Sequence, residues 1–180
     1  MKILAFAASN STKSINKALV SLSSQLLEEH TVEILDINDY EVPMFSQDLE
    51  AEQGAPRAAE QFLAKIANAD ALLISYAEHN YNFVAAYKNL FDWASRINRQ
   101  VYQGKPTIMM ATSIGPGGGK NVLRIAVDTA KYFDGNVIGT FLLPSFNDNF
   151  DRDSQSITNA ELLSELKTTL ALYSDVVVAS

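Results

Sequence analysis

Short apolar runs and helically spaced apolar positions alternate along this chain in a regular order. Residues 3–8 form a continuous apolar run, the pattern of a strand covered on both faces. Behind it, Ile15, Ala18, Leu19, Leu22 and Leu26 recur at the spacing of one helix face, with serines, Lys17 and Gln25 between them. Residues 31–36 read as a second strand, 71–75 as a third, 107–111 as a fourth and 137–142 as a fifth. Further helices are predicted around Phe62, Leu63 and Ile66, around Tyr87, Leu90, Phe91 and Ala94, and around Val122, Ile125, Ala126, Thr129 and Phe133. A last one carries Leu162, Leu163, Leu166, Leu170 and Tyr173. Buried strands alternating with helices predict the α/β class, because parallel strands need crossover connections. The expected architecture is a doubly wound five-stranded parallel sheet of strand order 2-1-3-4-5. The span 37–57, with Pro43, Gly54 and Pro56, reads as an irregular extended connection inside one domain covering 1–180. No internal repeat or linker interrupts the pattern.

Composition narrows the chemistry. With 180 residues, 47% apolar and 19% charged, the chain is built like a globular domain and unlike a collagen or a disordered segment. Cysteine is absent, which removes disulfides, thiolate metal sites and a cysteine nucleophile together. His30 and His79 lie far apart and show no metal-ligand spacing, so no metal site is expected. A net charge of -7 argues against a nucleic-acid partner. The apolar run after Met1 and Lys2 stops at polar Ser9–Asn10–Ser11–Thr12, short of a leader's core of about 7–15 residues. No stretch approaches the roughly 18 apolar residues of a membrane span. The expectation is a soluble, cytoplasmic protein with no membrane partner.

In such a sheet, ligands bind beyond the carboxyl ends of the strands where the strand order reverses. The loops in question are 9–16, 76–83 and 112–120. The first holds Ser9, Asn10, Ser11, Thr12, Lys13, Ser14, Ile15 and Asn16 and runs straight into a helix. Its hydroxyls and N–H groups suit a phosphate at a helix N-terminus; an N-cap by Ser11, Thr12 or Ser14 is the plainer reading. It contains no glycine, so the Gly-rich dinucleotide fingerprint fails. The second loop, with Ala77, Glu78, His79, Asn80, Tyr81, Asn82 and Phe83, mixes rings and amides as an aromatic heterocycle would require. An ordinary βα turn with local Asx bonds fits the same residues. His79 reads as a stacking or hydrogen-bonding group, since no general-base partner is identifiable. The third loop holds Ser113, Gly115, Gly117, Gly118 and Gly119, and its four glycines are half of the chain's eight. Ile114 and Asn121 stand where a P-loop needs Gly and Ser or Thr, which leaves a bare backbone for close approach to a flat ligand, or a flexible turn. Lys88 and Asp92 are spaced to pair on one helix face, and Trp93 reads as packing.

Taken together and in order, these motifs resemble the NAD(P)H-dependent FMN reductases, the flavodoxin-like group that includes quinone, azo-dye and chromate reductases. The family's Gly-Ser-x-Arg-x-x-Ser-x-Asn is matched by the stretch 8–16, which keeps Ser9, Ser14 and Asn16. Its Pro-Glu-Tyr-Asn appears as Ala77-Glu78-His79-Asn80, and its Lys-Asn-x-x-Asp-Trp as Lys88-Asn89-Leu90-Phe91-Asp92-Trp93. The Gly-rich stretch from Ser113 is similar to the family's loop after strand four, and order and spacing agree over roughly 1–145. Ser11 replaces an arginine, Ala77 a proline and His79 a tyrosine. Tyr81, Asn82, Phe83 and Val84 stand where the family often has Gly, Ser, a hydrophobe and Pro.

The resemblance implies FMN across the three loops, its phosphate on Ser9, Ser11, Lys13, Ser14, Ile15 and Asn16. The ring would lie between Ala77, Glu78, His79, Asn80 and Tyr81 on one side and Ser113, Gly115 and Gly117 on the other. With the arginine missing, phosphate charge would be met by Lys13, the helix terminus or a neighbouring subunit. NADPH or NADH would deliver hydride to the flavin, and a quinone-like small molecule would collect the electrons from the same face. No acid–base side chain is required for that step, so no catalytic residue is expected. The resemblance also implies a homodimer or homotetramer. Three rivals remain: a flavodoxin-type electron carrier, a Rossmann enzyme using Asp36 on a ribose, and a flavin-bound interaction module.

Overall fold

The computed structural model describes residues 1–179. Its strands are β1 (Lys2–Ala8), β2 (Thr31–Leu35), β3 (Ala71–Tyr76), the two-residue hairpin arms β4 (Glu78–His79) and β5 (Asn82–Phe83), β6 (Pro106–Thr112), β7 (Asn136–Leu143), and a second small ladder of β8 (Phe150–Asp151) and β9 (Ser156–Ile157). The helices are α1 (Ile15–Gln25), α2 (Gln47–Gln53), α3 (Arg57–Ala67), α4 (Ala85–Ile97), α5 (Lys120–Ala130), α6 (Phe146–Asn149) and α7 (Ala160–Ala179). The main sheet is parallel throughout, in the order β2-β1-β3-β6-β7, which is the predicted order.

Side chains alternate across the central strands and divide the core in two. Leu4, Phe6, Ala8, Leu72, Ile74, Tyr76, Met109 and Ala111 face one way and pack with Phe62 and Ile66 of α3, Tyr87, Leu90 and Trp93 of α4, and Val122 and Ala126 of α5. Ile3, Ala5, Ala7, Leu73, Ile108 and Met110 face the other, against Leu19, Val20 and Leu22 of α1 and Leu166, Leu170 and Tyr173 of α7. Both faces of β1, β3 and β6 are therefore covered, which is why these strands are continuous apolar runs. In register, Ala8 pairs with Tyr76 and Tyr76 with Ala111. The three strands consequently end level, and the loops that follow them start side by side. Among the described residues, no helix is long and apolar enough to cross a membrane.

Two expectations need correction. The span 37–57 is not irregular: it contains a 3-10 turn, Ile37–Tyr40, and α2. The Ser46 hydroxyl accepts from the Leu49 N–H at 3.1 Å, and Gly54 ends the helix at a φ of 73°. No residue of α2 is buried, so it has no apolar stripe to announce it. Asp36 leaves β2 at its end and caps the 3-10 turn, accepting from the Asn38 N–H at 3.0 Å.

Candidate functional site

The first rim loop is a series of hydroxyl-supported turns. Ser9 Oγ accepts from the Ser11 N–H, and Ser11 Oγ from the Lys13 N–H, each at 3.3 Å. Ser14 is the N-cap of α1, its hydroxyl accepting from the Lys17 N–H at 3.3 Å. The capping reading is thus correct for Ser14. The N–H groups of Ile15 and Asn16, in the first turn, meet no acceptor among the described residues, and that turn carries no acidic side chain. Asn16 is 2% exposed. Its Oδ1 accepts from Ser75 Oγ at 2.7 Å and from the Thr112 N–H at 3.1 Å, while Nδ2 donates to the Thr112 carbonyl at 3.2 Å. Its amide joins α1 to the ends of β3 and β6, so what it presents outward is its backbone N–H.

The second loop is a tight hairpin. Asn80 and Tyr81, the residues between β4 and β5, have φ of 50° and 65°. Two-residue hairpins favour such mirror-image turns, and asparagine tolerates them. A bulky side chain there costs about 1–2 kcal/mol, and Tyr81, 74% exposed, recovers little of it by burial. At the hairpin's base, Glu78 Oε2 accepts from the N–H groups of Asn121 and Val122, both at 2.9 Å. Glu78 therefore caps α5 from outside. Gly119, immediately before α5, supplies no capping side chain. A Cβ there would stand 3.1 Å from Ala111 Cβ, and its φ of 82° favours glycine.

The third loop is held on the turn that follows β7. Ser145 N–H donates to the Gly115 carbonyl at 2.9 Å, and Phe146 N–H to that of Ser113 at 3.0 Å. Ser113 Oγ donates to the Gly115 carbonyl at 3.3 Å. A Cβ added at Gly115 or Gly117 would meet nothing within 4 Å, so both border open space.

Together the loops enclose a cleft of about 260 Å³ lined by Ser9, Ser11, Lys13, Ser14, Ile15, Asn16, Ala77, Glu78, His79, Thr112, Ser113 and Ile114. Of the sequence candidates, Asn80, Tyr81, Gly115 and Gly117 stand outside this lining, on the hairpin tip and the glycine loop. Thr112 and Ile114 line it without having been singled out. The clue to Ile114 was an apolar residue in a polar loop, and it is 71% exposed. Thr112 carries no such clue, since its hydroxyl donates to the Leu143 carbonyl at 2.7 Å.

The electrostatics single out one end of the cleft. Three helices, α1, α4 and α5, begin behind the rim loops, and each N-terminus attracts negative charge. Glu78 occupies that of α5, no residue of α4 lines the cleft, and that of α1 stands open with Lys13 beside it. An anion is therefore directed to α1. Asp36 is engaged elsewhere, paired with Lys17 and bonded to Asn38. Partial burial raises its carboxyl pKa, but the bonds from Lys17 and Asn38 outweigh that and hold it below the ordinary value. It is not free for a ribose. On α4, Asn89 Oδ1 accepts from the Phe45 N–H at 2.8 Å, and Asn89 Nδ2 and Trp93 Nε1 both donate to the Pro43 carbonyl, at 3.0 and 2.7 Å. Trp93 is fully buried, as the packing reading expects.

Known proteins are similar to this chain in sequence and in fold. The family model described as NADPH-dependent FMN reductase matches residues 1–148. An NAD(P)H-dependent FMN reductase of Pseudomonas aeruginosa is 34% identical over 119 residues, which cover 66% of this chain and 63% of that protein. A 2-hydroxy-1,4-benzoquinone reductase of a Burkholderia species is 35% identical over 120 residues, covering 66% and 63%. The chain thus spans less than two thirds of the length of these curated relatives. In fold it is similar to FerB, a flavoenzyme NAD(P)H:(acceptor) oxidoreductase from Paracoccus denitrificans, with a TM-score of 0.74 at 23% identity over 97% of this chain and 95% of that one. The sheet is accordingly the flavodoxin-like one. Because the matched residues include all three rim loops and the helices α1, α4 and α5 that follow them, the chain belongs to the NADPH-dependent FMN reductase family.

Proposed function

We propose that this protein is an FMN-dependent oxidoreductase that takes electrons from NADPH or NADH and passes them to quinone-like or other small acceptors. The observation that supports it best is the division of labour at the rim: α5's N-terminus is closed by Glu78, while α1's stays open beside Lys13 in a hydroxyl-lined cleft. The donor set suits FMN. The N–H groups of Ile15 and Asn16, the hydroxyls of Ser9, Ser11 and Ser14, and the Lys13 ammonium would hold its phosphate. Small Ala77 and the bare backbone at Gly115 and Gly117 leave a flat ring room to lie close. Bound FMN supplies the hydride chemistry, which no side chain provides.

The protein's own residues do the positioning. Asn16 fixes α1 against the ends of β3 and β6, and Glu78 fixes the hairpin against α5, so both walls of the cleft are held from behind. Quinone acceptors are supported by the relatives named as quinone reductases. The same reading makes the protein a cytoplasmic homodimer or homotetramer, which sedimentation and cell fractionation test.

The deciding experiment releases the chromophore of the purified protein by heat, identifies it, and assays the protein with both nicotinamides and a quinone. FMN retained at micromolar concentration with direct turnover is expected. Absence of FMN uptake overturns the reading, and reduction only through a protein partner favours the flavodoxin-type carrier.

A further inference from the structure

We propose that Tyr81 is a stacking face for flat aromatic ligands at the rim of the cleft and thereby selects the electron acceptor; the proposal rests on the oxidoreductase reading of that site. Tyr81 holds a backbone conformation, φ 65°, that suits glycine, yet its ring is 74% exposed. A strained residue whose side chain gains little from the fold points to a role outside the fold. The hairpin that carries it is nonetheless anchored. Glu78 and Phe83 pair across the hairpin, Glu78 is bonded to the first turn of α5, and Phe83 packs on Tyr76 and Tyr87 with ring centroids 5.6 Å apart in each case. On the neighbouring loop Ile114, which lines the cleft, is 71% exposed. The two loops that flank the expected ring site therefore each carry one large exposed apolar side chain. Such a rim suits a conjugated planar molecule, which stacks on a phenol ring, and offers nothing to a compact hydrated oxidant.

The test compares the protein with Tyr81→Phe and Tyr81→Gly, the second chosen because glycine accepts the turn. The ratio of kcat/KM for 1,4-naphthoquinone to that for ferricyanide is expected to fall about tenfold in Tyr81→Gly and to stay within about twofold in Tyr81→Phe. A merely structural tyrosine would move both acceptors together, and an unchanged ratio overturns the proposal. Binding of 2-naphthol, a flat aromatic that is not reduced, is read separately by fluorescence anisotropy. It should weaken about tenfold in Tyr81→Gly alone, and equal binding by all three proteins also overturns the proposal. Should the protein take up no FMN while 2-naphthol binding still depends on Tyr81, the stacking face stands and the oxidoreductase reading fails.

Discussion

Asn16 and Glu78 are polar residues lining a cleft, and the side chains of both are spent on the protein. Replacing Asn16 by Ala would strand the Ser75 hydroxyl and the Thr112 N–H and carbonyl in a buried place. Unpaired groups of this kind cost about 1–3 kcal/mol each before relaxation, so a loss of about 2–3 kcal/mol is expected in urea unfolding. Glu78→Ala would remove a carboxylate from two N–H groups at a helix start, with an expected loss of about 1–2 kcal/mol. Glu78→Gln, which keeps an acceptor oxygen but not the charge, should recover part of it. Their ligand readouts differ from those of a direct contact: with the chain still folded, FMN affinity should change far less than stability does, because the binding-competent fraction stays near one. A weakening by orders of magnitude at unchanged stability would mean that the side chains touch the flavin themselves.

At the scale of elements, the Lys-Asn-x-x-Asp-Trp motif separates into two duties. Lys88 and Asp92 make an exposed i,i+4 pair, worth a few tenths of a kcal/mol, and Lys88→Ala should leave FMN retention nearly unchanged. Asn89 and Trp93 instead fasten the 42–45 segment to α4, so Asn89→Ala should open that segment to limited proteolysis first. Asn80→Ala should weaken FMN retention far more than Lys88→Ala, because alanine resists the φ of 50° that the hairpin needs; equal losses would remove the hairpin from the site. These elements also show what a sequence reveals. Strands and helices with an apolar face were legible because burial writes a period into the chain, and the rim loops followed from the strand order. Helix α2, which buries no residue fully and packs on the core through Leu49 alone, left no such period. Nor was it legible that Asn16 reaches Thr112, 96 positions away, or Glu78 Asn121, 43 away. An amide or carboxylate reads the same in sequence whether its partner is a ligand or a distant backbone.

For the whole molecule, charge and site pull in opposite directions. The chain carries a net charge of -7, and the proposed FMN brings a phosphate of the same sign. The attraction is local, made by Lys13 and the open end of α1, and a helix terminus acts within about its first turn. The repulsion is long-ranged, and screening acts on long range first: the Debye length falls from about 30 Å at 0.01 M salt to about 8 Å at 0.15 M. The association rate of FMN with the apoprotein should therefore rise, or at least not fall, as salt is raised over that interval in stopped-flow mixing. A cleft built on several arginines or lysines would show the reverse, a steep fall. Lys13→Ala should lower the affinity and leave the sign of the salt effect unchanged, because the net charge only becomes more negative. A rate that drops steeply with salt in the unmodified protein would mean that the phosphate meets a cationic cluster, and a neighbouring subunit would then have to supply it.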